Sequence, residues 1–368
     1  QDDTDHSKRT SLKVLMIHGI GDHLQGYSTR LAENLAHTLE LDVFETRSKE
    51  LDMTSPRFPD EHIGDLRVRR FTNKTEDREL LFYELTWSVI TRKEKDILAY
   101  DNSGESSFRR ANVNNMMKKF LNSHFSDPLI YLGDAQKKIQ VAVGQSLCWM
   151  TSKDWNELGE LTDEYCDISK PYVLSKTEDD YVFITHSMGS RIAIDSFQRM
   201  VVDIENATAA YPDNERLKTA TQTLQAMQIP VFMLANQLPL LQLGRNVPEV
   251  TNQHNDYCQQ DAPMWDQRFI SGLQIIAFSD PNDILSYTVQ PRFIDEYMDS
   301  RLCTSLVNVT INIAEVADLW GVGQVANPRS AHGDYDNDPR VINIIASGIG
   351  NENTSPLVEE RCTWLEGR

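Results

Sequence analysis

Short apolar runs alternate along the chain with segments whose apolar residues recur every three or four positions. The runs at 12–17, 181–184, 229–235 and 273–278 have the length and composition of buried strands. Residues 27–39 carry leucines at helical spacing, which predicts an amphipathic helix that packs on a sheet. The alternation predicts an α/β fold with a mostly parallel central sheet flanked by helices.

One interval between predicted strands is unusually long. Residues 79–87 form a strand candidate, and the next one begins at Tyr181, a gap of roughly ninety residues that exceeds any ordinary crossover connection. Apolar residues in this interval recur at helical spacing, which predicts a helical, cap-like insertion at 89–175 within a single domain that spans 1–368. The charge-rich segment 47–78 has few candidate core residues, so we expect it to run over the surface.

Composition narrows the classes of partner. The 368 residues are 40% hydrophobic and can bury a large core, and their formal charge of −19 repels nucleic-acid phosphates. We therefore expect no nucleic-acid partner. No stretch approaches the roughly 20 apolar residues that cross a bilayer, so no transmembrane segment is predicted.

The cysteines and the N-terminal segment bear on metal binding and location. Five cysteines contain no C-x-x-C pair, so we predict no structural metal, and the odd count leaves at least one thiol free or linked between chains. The chain starts at Gln1, and residues 1–10 are polar, as expected after removal of a signal peptide. This favours a secreted or periplasmic location, with trimming of a cytoplasmic protein as the alternative.

The most informative motif follows the strand candidate at 181–184. There the chain reads Thr185-His-Ser187-Met-Gly189 and then becomes helix-patterned, which predicts a sharp strand-to-helix turn that presents Ser187. The pattern G-x-S-x-G describes such a nucleophile elbow, and Thr185 in place of the first glycine makes the match partial. Taken alone, a serine after a strand is usually a turn residue or a helix cap.

Three further motifs stand at the ends of predicted elements. The first strand leads into His18-Gly-Ile-Gly, where glycines permit a close approach of backbone amides to an anion. The run at 273–278 is followed by Asp280 and Asp283, either of which could orient a histidine, although this is also a good turn sequence. His332 is the only histidine after Asp283, and it precedes a helix start at Asp338-Pro.

At these residues the chain resembles the α/β-hydrolase superfamily, whose triad runs nucleophile, acid, histidine along the sequence. The resemblance covers roughly residues 12–348 and rests on four short motifs in the correct order. The chain is most similar to bacterial serine hydrolases that open with His-Gly-Ile-Gly. The resemblance implies an α/β-hydrolase fold with a cap-like insertion, and it implies no cofactor.

The resemblance also implies roles. Ser187 would be the nucleophile, His332 the general base and Asp283 the acid, since the family places its acid about three residues beyond the strand and follows it with an aliphatic residue. Asp280 stays open as the alternative acid. The backbone amides of Ile20 and Met188 would form the oxyanion hole.

The expected activity is hydrolysis of a carboxylic ester, from a small molecule or a lipid, through an acyl-enzyme. Candidates for an apolar substrate pocket are two methionines of the insertion and three leucines at a strand exit, namely Met116, Met117, Leu238, Leu240 and Leu241. Packing of a helix on the sheet explains the methionines better than a pocket does, whereas loop anchoring explains the leucines equally well. A binding protein with a hydrolase fold but no turnover, thioester cleavage and acyl transfer remain alternatives, and the oligomeric state is open.

Overall fold

We describe the protein from a computed structural model, in which residues 10–102, 109–159, 165–166, 179–319, 323–350 and 354–367 are described. The strands of these parts are β1 (Thr10–Ile17), β2 (Asp42–Met53), β3 (Gly64–Thr72), β4 (Arg78–Thr86), β5 (Asp180–His186), β6 (Gln228–Leu234), β7 (Gly272–Ser279), β8 (Thr304–Ile311), β9 (Val316–Leu319), β10 (Gly323–Ala326) and β11 (Cys362–Gly367).

The α-helices of the same parts of the chain are α1 (Thr29–Thr38), α2 (Val89–Ala99), α3 (Asn112–Phe120), α4 (Ser126–Tyr131), α5 (Ala135–Ser152), α6 (Gly189–Ala210), α7 (Glu215–Ala226), α8 (His254–Cys258), α9 (Arg292–Tyr297), α10 (Pro328–Gly333), α11 (Pro339–Ser347) and α12 (Pro356–Arg361). A π-helical turn at Leu121–Phe125 joins α3 to α4.

Nine strands form one mixed sheet in the order β11-β8-β7-β6-β5-β1-β4-β3-β2. The six strands from β8 to β4 are parallel, whereas β11, β3 and β2 add antiparallel edges. The chain passes from β1 to one side of the sheet and returns to β5 on the other side of β1. Parallel sheets carry ligand sites beyond the carboxyl ends of the strands at such a reversal, and His18 and Ser187 follow β1 and β5 there.

The core lies on both faces of this sheet, in an α/β architecture with a mostly parallel centre. Alternating residues of β1 divide between the faces: Val14 packs in the cluster with α1 and α11, whereas Leu15 packs in the cluster with α5 and α6. This two-sided burial explains why the central strands read as continuous apolar runs in the sequence. The predicted strands at 12–17, 181–184 and 229–235 correspond to β1, β5 and β6.

One sequence expectation is wrong. The segment 47–78 does not run over the surface, since it contains most of β2 and all of β3, whose Leu51, Leu66 and Val68 are buried. Its many charged residues hid the strand pattern in the sequence, although several of them are paired with opposite charges in the fold. Arg70, for example, is buried and bonds Glu79 of β4 at 2.9 Å.

The interval predicted as an insertion, 89–175, contains α2 to α5 among its described residues, while 103–108, 160–164 and 167–175 lie outside them. A disulfide joins Cys148 of α5 to Cys166. A second disulfide joins Cys258 to Cys303, and Cys362 is a buried free cysteine. Among the described residues, no helix has the length and apolar character that a membrane span requires.

Candidate active site

The turn after β5 holds Ser187 in a strained backbone conformation. Its φ is 55°, in the left-handed region that non-glycine residues rarely adopt. The Ser187 amide donates to the Leu234 carbonyl of the neighbouring strand exit at 2.9 Å. A Cβ at Gly19 would lie 2.5 Å from Ser187 Cβ, so the turn packs directly against the segment that follows β1. Such strain persists only where surrounding structure fixes it, and it is typical of functional sites.

Three side chains from distant parts of the chain meet at this turn. Ser187 Oγ lies 3.1 Å from His332 Nε2, and His332 Nδ1 lies 2.8 Å from Asp283 Oδ2. Because Nδ1 faces a carboxylate, it carries the proton of the neutral ring, which leaves Nε2 to accept from the serine hydroxyl. The structure therefore brings together the serine, the histidine and one of the two candidate acids.

The two aspartates after β7 occupy different environments. Asp280 accepts hydrogen bonds from the backbone amides of Ile313 and Ala314, at 2.7 and 2.9 Å, and from the Asn282 amide at 2.7 Å. It ties the exit of β7 to the segment after β8. Asp283 faces His332 instead. Burial alone would raise the pKa of the Asp283 carboxyl, but the hydrogen bond and charge of His332 hold it below its ordinary value.

A second histidine positions the first. His186, at the end of β5, lies with its Nε2 2.8 Å from the His332 carbonyl oxygen, so that nitrogen carries a proton and donates it in a hydrogen bond. Burial, followed by the nearby His332, lowers the pKa of His186 to about 3. His186 therefore supports the loop that carries His332 and does not titrate near neutral pH.

Two backbone amides are available to an oxyanion. Among the described residues, the amides of Ile20 and Met188 have no backbone or side-chain acceptor. Met188 is the residue after Ser187, and Ile20 lies in the glycine-rich segment that contacts the serine turn. Both residues line the cavity described below. This is where the sequence expectation placed the oxyanion hole.

His18 stabilises the glycine-rich segment through hydrogen bonds of both its ring nitrogens. The Trp87 amide donates to His18 Nε2 at 3.1 Å, so His18 Nδ1 carries the proton and donates to the Gly19 carbonyl at 2.8 Å. The Trp87 ring stacks on the imidazole with centroids 4.5 Å apart. Complete burial lowers the pKa of His18 well below its ordinary value. His18 therefore acts as a neutral clamp.

A carboxylate that the sequence analysis did not identify also binds this segment. Asp127 of α4 has no exposed surface, and its Oδ2 accepts from the Gly21 amide at 2.6 Å. Lys95 of α2 pairs with Asp127 at 2.8 Å and with Asp22 at 3.0 Å. The available signal was Asp127-Pro at a helix start, but that pattern reads as a helix cap and does not reveal its distant partner.

A cavity of about 230 Å³ opens beside Ile20 and Met188. Phe125, Pro128, Tyr131 and Leu132, from α4 and the turns beside it, form one wall. Ser187 is fully buried and does not line this cavity, which reaches the serine turn at the next residue, Met188.

Two of the five residues that the sequence suggested for a substrate pocket line this cavity. Leu240 and Leu241 line the cavity. Leu238 does not, because it is fully buried in the core between helix and sheet. Met116 and Met117 do not either, since α3 buries none of its residues and these side chains are 67% and 59% exposed.

One group in the described residues has metal-ligand geometry. Asp52, His62 and Asp65 place their ligand atoms within 4.8 Å of one another on the antiparallel edge of the sheet. Such exposed acidic groups are common without an ion, and this one lies in β2, β3 and their connection, apart from the serine turn. It takes no part in the arrangement around Ser187.

Comparison with family models, curated protein sequences and solved structures found no match to the chain. The functional assignment therefore rests on the geometry described above.

Proposed function

We propose that the protein is a serine hydrolase of the α/β-hydrolase type that cleaves carboxylic esters through an acyl-enzyme. The observation that carries this proposal is the continuous set of contacts from Asp283 through His332 to Ser187. A lone serine hydroxyl is a poor nucleophile at neutral pH, and these are the partners that activate it. The order serine, acid, histidine and the mostly parallel sheet support the superfamily assignment.

In the first half of the reaction, Ser187 Oγ attacks the ester carbonyl carbon while His332 Nε2 takes the hydroxyl proton. The carbonyl oxygen becomes negative, and the amides of Ile20 and Met188 donate to it. The bond from carbon to the alcohol oxygen then breaks, and His332 gives its proton to the departing alcohol. The product is an acyl-Ser187 ester.

In the second half, water attacks the acyl carbon and gives a proton to His332. The bond to Ser187 Oγ breaks, the acid leaves, and the proton returns to the serine. Asp283 holds the imidazole in the required tautomer and stabilises its charged form at each step. His186 and Asp127 position His332 and the oxyanion segment without touching the reacting atoms.

We also propose that the protein works in an oxidising compartment, as a secreted or periplasmic enzyme. The pairs Cys148–Cys166 and Cys258–Cys303 support this, because disulfides of this kind persist outside the reducing cytosol. Esters of small molecules or lipids are the proposed substrates.

A fluorophosphonate probe tests the chemistry directly, because it labels activated serines. We expect the wild-type protein to be labelled and Ser187→Ala to lose both labelling and hydrolysis of p-nitrophenyl esters. Ser196→Ala is the matched control, since Ser196 is a buried serine of α6 whose hydroxyl bonds the Ile192 carbonyl. A folded wild-type protein that neither reacts with the probe nor cleaves any ester of the series would reject the proposal.

A further inference from the structure

The cavity lined by Ile20 and Met188 is mostly apolar, and two guanidinium groups lie in its wall beside the polar side chains of Tyr131 and Gln237. Ile20, Met188, Leu240 and Leu241 contribute apolar surface, whereas Arg191 and Arg245 reach its wall from α6 and from the loop after β6. Purely apolar walls would suit a simple hydrocarbon chain. Two cations beside a small cavity call for a different ligand.

The two arginines share one carboxylate. Arg191 Nε donates to Asp195 Oδ1 at 2.8 Å, and Arg245 Nη2 donates to Asp195 Oδ2 at 2.6 Å. Tyr131 and Gln136 donate to the same Oδ2 oxygen at 2.9 and 3.1 Å. In the part of the chain that the structure describes, neither arginine has a second ion-pair partner. The cluster therefore carries one positive charge in excess, in a chain whose formal charge is −19.

Of the two arginines, Arg245 has guanidinium donors that no described residue uses. The side chains of Arg191 and Asp195 are 3% and 4% exposed, whereas that of Arg245 is 14% exposed. Among the guanidinium nitrogens of Arg245, only Nη2 donates a hydrogen bond to a described residue. Nearby, the Gln242 side chain accepts from Arg191, and its buried Nε2 has no acceptor. Both side chains thus offer donors beyond those that the protein itself satisfies.

An excess cation in a poorly solvated site favours an anion, and a guanidinium fork matches a carboxylate particularly well. Arg245 lines the same cavity as Ile20 and Met188, and most of the other side chains that line it are apolar. A short ligand with a reactive ester at one end and a carboxylate at the other satisfies both ends. Its size suits the cavity, which at about 230 Å³ is below the roughly 300–1,000 Å³ of sites for larger ligands.

We propose that the cavity binds an acyl group with a terminal carboxylate, so that the preferred substrates are monoesters of short dicarboxylic acids, held by Arg245. This substrate class rests on the proposed ester hydrolysis. The covalent steps are unchanged: the ester end is cleaved at Ser187, and the carboxylate end makes no covalent bond.

Matched esters test the preference. Mono-p-nitrophenyl adipate and p-nitrophenyl hexanoate have acyl chains of equal length and differ in the terminal carboxylate. We expect kcat/KM to favour the adipate ester by at least about tenfold, as charged hydrogen bonds imply. Arg245→Gln should lower kcat/KM for the adipate ester by at least about tenfold more than for the hexanoate ester, and so remove this preference. Arg191 remains paired with Asp195 in that variant, and Arg216→Gln, on the exposed side of α7, is the control.

Binding measurements separate this proposal from the hydrolase proposal, because they require no turnover. We expect adipate to bind Ser187→Ala and to bind at least about tenfold more weakly when Arg245→Gln is added. If adipate binding depends on Arg245 but no ester is cleaved, the hydrolase proposal fails and the cavity assignment stands. If the hexanoate ester is preferred and Arg245→Gln changes neither the preference nor adipate binding, the assignment is overturned while ester hydrolysis stands.

Discussion

At the scale of single residues, the site depends on how closely two backbones approach. Ser187 adopts a left-handed φ where the segment after β1 lies so close that a Cβ at Gly19 would come within 2.5 Å of Ser187 Cβ. A Cβ at Gly189 would lie 2.3 Å from the Ile17 carbonyl oxygen, which is backbone and cannot rotate away. The glycine is therefore required by packing between α6 and β1.

Gly189→Ala should separate this requirement from a general glycine effect. We expect it to lower the free energy of unfolding by about 1–3 kcal/mol or more and to displace Ser187, because the new methyl group meets backbone. Gly144→Ala is the control, since Gly144 lies within α5 and an added Cβ there meets nothing within 4 Å. That variant should gain about 0.5–1 kcal/mol from helix propensity. Urea denaturation and ester hydrolysis of both variants measure the difference, and equal effects would contradict the packing argument.

The two aspartates after β7 make a second residue-scale prediction. Asp283→Asn should lower kcat by about 10⁴-fold, because an amide can hold His332 in the wrong tautomer. Asp280→Asn should retain turnover in the folded protein but cost roughly 1–3 kcal/mol of stability, because its amide group would meet backbone donors. Turnover numbers and denaturation midpoints of the pair distinguish the roles. Loss of turnover in Asp280→Asn alone would reverse the assignment.

The sequence indicated Ser187 and His332 because they stand at the boundaries of predicted elements in a known order. The family resemblance favoured Asp283 and left Asp280 as the alternative acid, since both are good turn residues and only their partners differ. Asp127 escaped notice because its acceptor role depends on Gly21, more than a hundred positions away. Long-range contacts of this kind leave no local pattern.

At the scale of elements, the strands buried on both faces were predictable and the edge strands were not. β1, β5 and β6 are apolar runs, whereas β2 and β3 mix apolar with charged residues, such as Arg70, which pairs with Glu79 of β4. The helices of 89–152 were predicted from periodicity. Their orientation was not, because helical spacing gives a face but not which neighbour covers it, as the exposed Met116 illustrates.

The contact between α4 and the oxyanion segment is an element-scale device that can be tested. Asp127→Ala should cost roughly 1–3 kcal/mol, because it removes the buried acceptor of the Gly21 amide, while Lys95 keeps its ion pair with Asp22. It should also lower kcat more than it raises KM, since it frees the segment that carries the Ile20 amide. We expect a smaller loss of kcat than the roughly 10²–10³-fold that follows removal of an oxyanion donor.

Asp127→Asn is the matched variant, because an asparagine oxygen can still accept from the Gly21 amide. It should restore most of kcat while remaining destabilised by the loss of charge. If the alanine and asparagine variants lose kcat equally, Asp127 does not act through that hydrogen bond.

At the scale of the whole molecule, the cysteines make a prediction about covalent structure. The unfolded, unreduced protein should expose one thiol to a thiol reagent, from Cys362, and five after reduction. Replacing both cysteines of the 148–166 pair should cost about 3 kcal/mol, and of the 258–303 pair about 4 kcal/mol, since the second closes the longer loop. A count of three or five thiols before reduction would contradict the pairing and weaken the proposed oxidising location.

Two buried neutral histidines make the stability of the whole molecule fall as the pH becomes acidic. Burial lowers the pKa of His18 well below its ordinary value and that of His186 to about 3, whereas in the unfolded chain both titrate near 6.5. Below about pH 6.5 the unfolded state therefore binds protons that the folded state does not. The stability that the two histidines contribute is fully present above that pH. As the pH falls towards its folded pKa, each histidine lowers the free energy of unfolding by up to about 1.4 kcal/mol per pH unit.

His186→Gln isolates one of these contributions, because glutamine cannot gain the proton but can still donate to the His332 carbonyl. We expect urea denaturation between pH 6.5 and 4 to show a shallower loss of stability in this variant, by up to about 1.4 kcal/mol per pH unit. His37→Gln, at an exposed position of α1, is the matched control. Since both variants lose one histidine from the same unfolded chain, only burial in the folded state distinguishes them. Equal slopes in the two variants would show that His186 is protonated in the folded protein and cannot be the neutral donor that positions His332.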